Sequence, residues 1–165
     1  MNLKTDEKNE TVGETTNENT TNKNEDGIKN YQKSLIIIKP DGVKKRIVGD
    51  IISRFEKAGF EIEKIRVFKI DKTIANMHYC EHVHKPFFEE LVNYITSGPS
   101  VIMVIKGENA ISRARELMGS TDPSKAEKGT IRGDYGTDIT VNSIHGSDSP
   151  ESAEREIKIF FGNYL

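Results

Sequence analysis

The chain has no tryptophan and a single cysteine, Cys80. One thiol excludes an intrachain disulfide, and such cysteine poverty suits a reducing compartment, so a cytoplasmic location is expected. No run of about 18 apolar residues occurs, which excludes a membrane-spanning helix. The amino-terminal stretch lacks the apolar centre of a secretion signal, and it is acidic where a mitochondrial leader would be basic. Sequons at Asn9 and Asn19 therefore carry little meaning. A strong charge of either sign is also missing: the formal net charge is -2. A near-neutral chain argues against specific or non-specific nucleic-acid binding, which needs a basic face. Neither phosphate-cradling glycine motif, G-x-x-x-x-G-K-[ST] or G-x-G-x-x-G, is present.

Apolar residues are scarce as well, at 35% of 165 positions, and the scarcity is local. Residues 1–33 contain seven Asn, six Thr, five Lys and seven acidic residues, but only Met1, Leu3, Val12, Ile28 and Tyr31 as apolar side chains. Such a segment cannot bury enough surface to offset its conformational entropy, so a disordered extension is expected there. Residues 34–165 balance 19 basic against 19 acidic groups and can carry one domain with a real core.

Within that domain, Leu35-Ile36-Ile37-Ile38 reads as a strand covered on both faces, ended by Lys39-Pro40-Asp41-Gly42. Ile47, Ile51, Ile52 and Phe55 follow at helical spacing, up to Gly59. Phe60 to Ile70 gives a second strand that alternates only in part. Thr73 is expected to cap a helix reaching about His82, and Pro86 to open another through Phe87, Leu91 and Ile95. Val101–Ile105 is a third strand; Asn109 is expected to cap a helix ending at Gly119. Ile139–Val141 reads as a short fourth strand, and Ser149-Pro150 as a helix start with its cap. This order predicts an α+β, ferredoxin-like split βαβ fold: a four-stranded antiparallel sheet covered by helices.

Residues 119–138 resist this reading, with four glycines, Thr121, Lys125, Lys128 and Arg132 but no periodicity. A long structureless loop inside a compact domain is more often functional than idle, and its backbone and cations fit an anion site. Arg115 lies near its start, so two guanidinium groups and a hydroxyl could converge on a polyphosphate. Lys39, directly after four aliphatics, points to a ligand as readily as to solvent. His145 sits among small residues in Asn142–Ser149, with Glu156 on the following helix placed to hold one ring nitrogen. That would fix the tautomer and leave the other nitrogen as a free lone pair, as a nucleophile requires. Ser147 and Asp148 are close enough to assist. Phe87 and Tyr79 could meet a base or pack in the core. His78, Cys80, His82 and His84 invite a metal reading, with His78 and His82 at i, i+4.

Taken together, Ile38–Gly42, Pro86-Phe87-Phe88, Gly129–Asp134 and Asn142–Ser149 resemble the nucleoside diphosphate kinase family, in order, from about Ser34 to Phe161. The resemblance implies ping-pong transfer of the γ-phosphoryl group, mainly from ATP, to nucleoside diphosphates through a phosphohistidine. It implies that His145 is the nucleophile, phosphorylated on Nδ1, with Glu156 and Ser147 orienting it. It places Lys39, Tyr79, Arg115, Thr121, Arg132 and Asn142 on phosphates and ribose, and Phe87 and Leu91 on the base. It sets Asp148 near a Mg²⁺ that the nucleotide itself mainly carries. It further implies a homo-oligomer, a hexamer being favoured over a tetramer. A rival reading is a non-catalytic nucleotide- or RNA-binding module of the same fold. That module would need a basic sheet face with exposed aromatics, which the strands do not supply.

Overall fold

The computed structural model describes residues 30–162. The extension expected over residues 1–33 lies outside the described residues as far as position 29. Tyr31, Gln32 and Lys33 instead belong to the first strand, β1 (Tyr31–Ile38), where they pair with Glu108, Gly107 and Lys106. The aliphatic run thus marks only the buried half of that strand.

The elements continue as α1 (Pro40–Lys44), α2 (Val48–Lys57), β2 (Glu61–Lys69), α3 (Lys72–His78) and α4 (Phe88–Ile95). They are followed by β3 (Pro99–Glu108), α5 (Ala110–Met118), α6 (Ile131–Tyr135), β4 (Ile144–Gly146) and α7 (Pro150–Phe161). The sheet is antiparallel throughout, in the order β2-β3-β1-β4, so β3 separates β1 from β2. This is the ferredoxin-like arrangement. Because side chains alternate along a strand, β1 feeds both sides of the sheet. Ile36 and Ile38 join Ile51, Phe55, Met103 and Met118 on one side, while Leu35 and Ile37 join Ile95, Val104, Ile157 and Phe160 on the other. All four β1 aliphatics are fully buried, which explains a continuous rather than alternating run.

Several local expectations shift. Ile139–Val141 is not a strand: the Asp138 carboxylate accepts from the Thr140 and Val141 amides, at 2.8 and 2.7 Å, and takes them out of any ladder. The fourth strand lies further on, at Ile144–Gly146, so His145 is inside it rather than beyond it. Exposure alternates strictly along β2, and the apolar pattern is only partial because Ile65 and Val67 lie on its exposed face. Asp71, not Thr73, caps α3 by accepting from Ile74 N–H. Asn109 stands at the start of α5 in the left-handed region without a side-chain cap. The turn read at Pro40 is a single turn of helix, and α4 begins at Phe88, two residues after Pro86.

The loop of residues 119–138 is partly ordered by α6, which Thr130 caps through Gly133 N–H. A Cβ at Gly133 would fall 2.0 Å from the Glu127 carbonyl oxygen, so the loop closes on itself only with glycine there.

Ser149 caps α7, its hydroxyl accepting from Ser152 N–H at 3.0 Å. Ser149→Ala is expected to cost about 1 kcal/mol of stability. A urea titration would show this as a lower midpoint at unchanged slope; an unaltered midpoint would mean that the cap is redundant.

Candidate active site

Chain geometry around β4 collects the chemistry. β4 pairs with β1, placing His145 opposite Ile37, and Lys39 N–H donates to the Ser143 carbonyl at 2.9 Å. Ser143 is fully buried with φ of 72°, in the left-handed region that a serine seldom adopts. Its hydroxyl donates to Asp41 at 2.8 Å, and Tyr94 and Lys45 also donate to that carboxylate. Burial pushes the Asp41 carboxyl up, but these three donors outweigh burial and hold it below the usual range. The Asp41 carboxylate thus clamps a strained turn directly before the histidine strand.

His145 Nε2 lies 3.1 Å from Glu156 Oε2, on α7. The same oxygen accepts from Ser147 Oγ at 2.7 Å, while Ser147 Oγ accepts from Leu35 N–H at 3.0 Å. Glu156 is buried, so its grip on the ring is little weakened by solvent. With Nε2 donating to a carboxylate, Nδ1 is left as the nitrogen with a free lone pair.

His145 lines a cavity of about 510 Å³. Lys39, Tyr79, Phe87, Leu91, Arg115, Thr121, Arg132, Asn142 and Asp148 also line it. Thus ten of the residues singled out in the sequence share one space, while Ser147 and Glu156 stand behind its wall. Lys125 and Lys128 do not line it; Lys125 pairs with Asp122 at 3.4 Å. Lys39 Nζ donates to Asn142 Oδ1 at 2.9 Å, and Asn142 donates in turn to the Thr121 and Ile139 carbonyls, both at 3.0 Å. Arg132, on α6, donates to the Gly119 carbonyl at 2.9 Å and to the Ile144 carbonyl at 2.8 Å. Its Nε is buried without a partner. Phe87 is 44% exposed at the rim, and Ile139, 63% exposed, is a second apolar group lining the same cavity.

Lys39 and Arg132 are crowded and dry, whereas Arg115 stays exposed. Burial, and then Arg132, push the Lys39 ammonium down to about 8; burial, and then Arg115, push Arg132 down to about 10. Like charges gathered out of water need an anion to balance them. Asp148 stays below the usual carboxylate range, chiefly through its hydrogen bond with Ser152.

Sequence reasoning misses Ser143, Asp41 and Tyr94, because a clamp between three distant segments leaves no spacing to read. It also misses His82, Glu90, Ile139 and Thr140 as residues that line the cavity. His78 figures there only in a metal reading with Cys80, His82 and His84. That set is not assembled: α3 ends at His78, so His78 and His82 do not share a helix. His78 is buried against His145 instead, their rings 4.6 Å apart and nearly perpendicular. Burial first, then the charges of His145 and Arg155, hold His78 well below its ordinary value, so it is neutral.

A carboxylate-held imidazole beside a cation-lined cleft, on a split βαβ sheet, has the chemistry of a nucleotide phosphotransferase. The family follows from comparison with known proteins. A family model for nucleoside diphosphate kinase matches residues 32–164, and the chain belongs to that family. It is 58% identical over 130 residues to the nucleoside diphosphate kinase of Pelotomaculum thermopropionicum, covering 79% of this chain and 87% of that one. Identity to the Carboxydothermus hydrogenoformans enzyme is 56%, with the same coverage. Among solved structures, the Aquifex aeolicus nucleoside diphosphate kinase superposes with a TM-score of 0.79 at 43% identity, over 81% of this chain and 96% of that one. The Halobacterium salinarum enzyme, in complex with CDP, gives a TM-score of 0.78 at 46% identity, over 80% and 88%.

Proposed function

We propose that this nucleoside diphosphate kinase transfers the γ-phosphoryl group, mainly from ATP, to nucleoside diphosphates by way of His145. The observation that carries the reading is the Glu156–His145 pair, which leaves Nδ1 as a lone-pair donor in a cleft walled by Lys39, Arg115 and Arg132. The Nδ1 lone pair attacks the γ-phosphorus, and the bond to the β-phosphate oxygen breaks. The nucleoside diphosphate leaves with that electron pair. No proton is lost, because Nε2 keeps its hydrogen and Glu156 balances the charge that develops on the ring. An incoming diphosphate then attacks the same phosphorus from its terminal oxygen, and the ring returns to its first state.

The protein's share is positioning and charge. Arg132, Arg115 and Lys39 meet the phosphoryl oxygens; Asn142 holds Lys39 and, with Thr121 and Tyr79, faces phosphate and ribose. Phe87 and Leu91 take the base, and stacking on a ring discriminates little among bases. Asp148 is a carboxylate in the cleft, too few ligands for Mg²⁺ alone, which fits an ion held mostly by phosphate oxygens. When bound, Mg²⁺ neutralises charge on the phosphates. A homo-oligomer, a hexamer over a tetramer, in a cytoplasmic setting completes the reading. The open edge strand β2 leaves Ile65 and Val67 exposed, in keeping with a subunit contact.

The test is incubation with γ-labelled ATP and no acceptor. The protein should take up label that survives base but not acid, and release it on adding a nucleoside diphosphate. A protein that stays unlabelled would overturn the reading.

The Lys39 ammonium carries a pH dependence. In the free enzyme it loses its proton above about 8, so kcat/KM should fall as pH rises through that value. Bound phosphates favour the charged form, so the limb in kcat should lie at higher pH. Stability runs the other way. Between about 8 and the unfolded value near 10.4 the unfolded chain holds the extra proton, so this group's contribution to stability rises with pH there. Rate profiles at limiting and saturating nucleotide would check the sign; a flat kcat/KM up to about pH 10 would take Lys39 out of the phosphate site.

A further inference from the structure

His78 has no place in the phosphoryl-transfer scheme above, yet it is only 5% exposed, and neither of its ring nitrogens has a hydrogen-bond partner. Buried polar atoms are rarely left so, and an orphaned pair calls for an explanation such as an ion. One nitrogen of a neutral imidazole always carries a lone pair. Ligand atoms of His78, His145 and Glu156 all lie within 4.8 Å of one another. A tetrahedral ion with bonds of about 2.0–2.2 Å needs donors roughly 3.3–3.6 Å apart, which small ring rotations supply. His145 and Glu156 are already 3.1 Å apart. Two imidazoles and one carboxylate are a donor set for a borderline-soft ion with one open position. Mg²⁺, which prefers an all-oxygen shell, is a poor match.

We propose that His78, His145 and Glu156 form a Zn²⁺ site, separate from the nucleotide-borne Mg²⁺, and that Zn²⁺ bound there switches phosphoryl transfer off. On binding, the His145 proton moves from Nε2 to Nδ1, and Nε2 gives its lone pair to the ion. Glu156 turns its oxygen from the imidazole to the metal, and His78 supplies the third donor. Nδ1 then carries hydrogen and has no lone pair to attack phosphorus. No proton leaves the protein and nothing is oxidised or reduced. The converse also holds: phosphorylated His145 keeps its proton on Nε2, so the ion is excluded. Zn²⁺ binding and phosphorylation therefore oppose each other by the same factor in both directions. The inhibitory half rests on His145 being the nucleophile; the binding half does not.

The full-length protein, in excess Mg²⁺, would be titrated with Zn²⁺ against a chromophoric chelator. One equivalent per chain should bind, and affinity should fall at least about tenfold in His78→Leu and in His78→Gln. A Cys80→Ser/His82→Ala/His84→Ala variant should bind as the wild type does. Prior phosphorylation by ATP should weaken binding, and Zn²⁺ should suppress labelling by γ-labelled ATP until a zinc-selective chelator is added. Co²⁺ in place of Zn²⁺ should give the visible spectrum of a four-coordinate nitrogen and oxygen site. Wild-type affinity in both His78 variants, loss of binding in the surface variant, or a thiolate-to-cobalt band would each overturn the proposal. If the ion binds in a His78-dependent way but the wild type never labels, the nucleophile reading fails and the metal site stands. Normal labelling without Zn²⁺ binding would sink the metal site and leave the nucleophile in place.

Discussion

His145→Ala should lower turnover by at least about a thousandfold and abolish labelling by γ-labelled ATP. Removing the ring deletes the covalent route proposed above, and what remains could only hold a nucleotide in a cleft without an acceptor for its phosphoryl group. The loss should fall on kcat, since the cations and Phe87, proposed above to bind the nucleotide, are untouched. Fold and melting temperature should change little. His145 is partly exposed, and Glu156 keeps its hydrogen bond from Ser147 at 2.7 Å when the imidazole is gone. Nucleotide binding by calorimetry, beside single-turnover labelling, separates the two effects. Turnover within about tenfold of the wild type, or label persisting on the variant, would show that another group accepts the phosphoryl.

Arg132→Ala is expected to reduce kcat/KM by about 10- to 100-fold, and this loss should come with destabilisation. Each charge-assisted bond to phosphate is worth roughly 1.5–3 kcal/mol, which sets the lower bound near tenfold. The second effect is local. The Arg132 guanidinium spans the Gly119 and Ile144 carbonyls, so alanine leaves both without their donor and loosens α6 from β4. Arg132→Lys should recover little, because one ammonium cannot reach both carbonyls and a phosphate at once. Steady-state rates and thermal melts on both variants check this. An unchanged kcat/KM in Arg132→Ala would remove the residue from the transfer site.

Much of the fold and the site is legible in the amino-acid sequence, for reasons that differ from residue to residue. Leu35–Ile38 and Val101–Ile105 announce themselves because a strand buried on both faces has no polar alternation to dilute it. His145, Glu156 and Arg132 stand out because their neighbours are small, capped or glycine-rich. The fourth strand is misplaced because Ile139-Thr140-Val141 has the composition of a strand. Two of its amides are claimed by one carboxylate, and composition does not record hydrogen-bond partners. Ile144-His145-Gly146, by contrast, has a single apolar side chain and is a strand only through its pairing with β1. His78 hides for a related reason: nothing in Asn76-Met77-His78-Tyr79 says that this histidine, and not His82, turns inward. Burial decides that, and burial belongs to the whole fold.

Ser143 has a consequence of another kind. A glycine would tolerate its positive φ without the cost of about 1 kcal/mol that serine bears. That gain is outweighed, because the Ser143 hydroxyl bonds a buried carboxylate and such a bond is worth roughly 1.5–3 kcal/mol. The same change deletes the hydroxyl that Asp41 accepts, and with it the restraint on a turn whose carbonyl fixes the Lys39 backbone and whose next residues carry His145. The strained φ is thus kept in place by the bond that it allows, and stability and site geometry make the same demand on a single side chain.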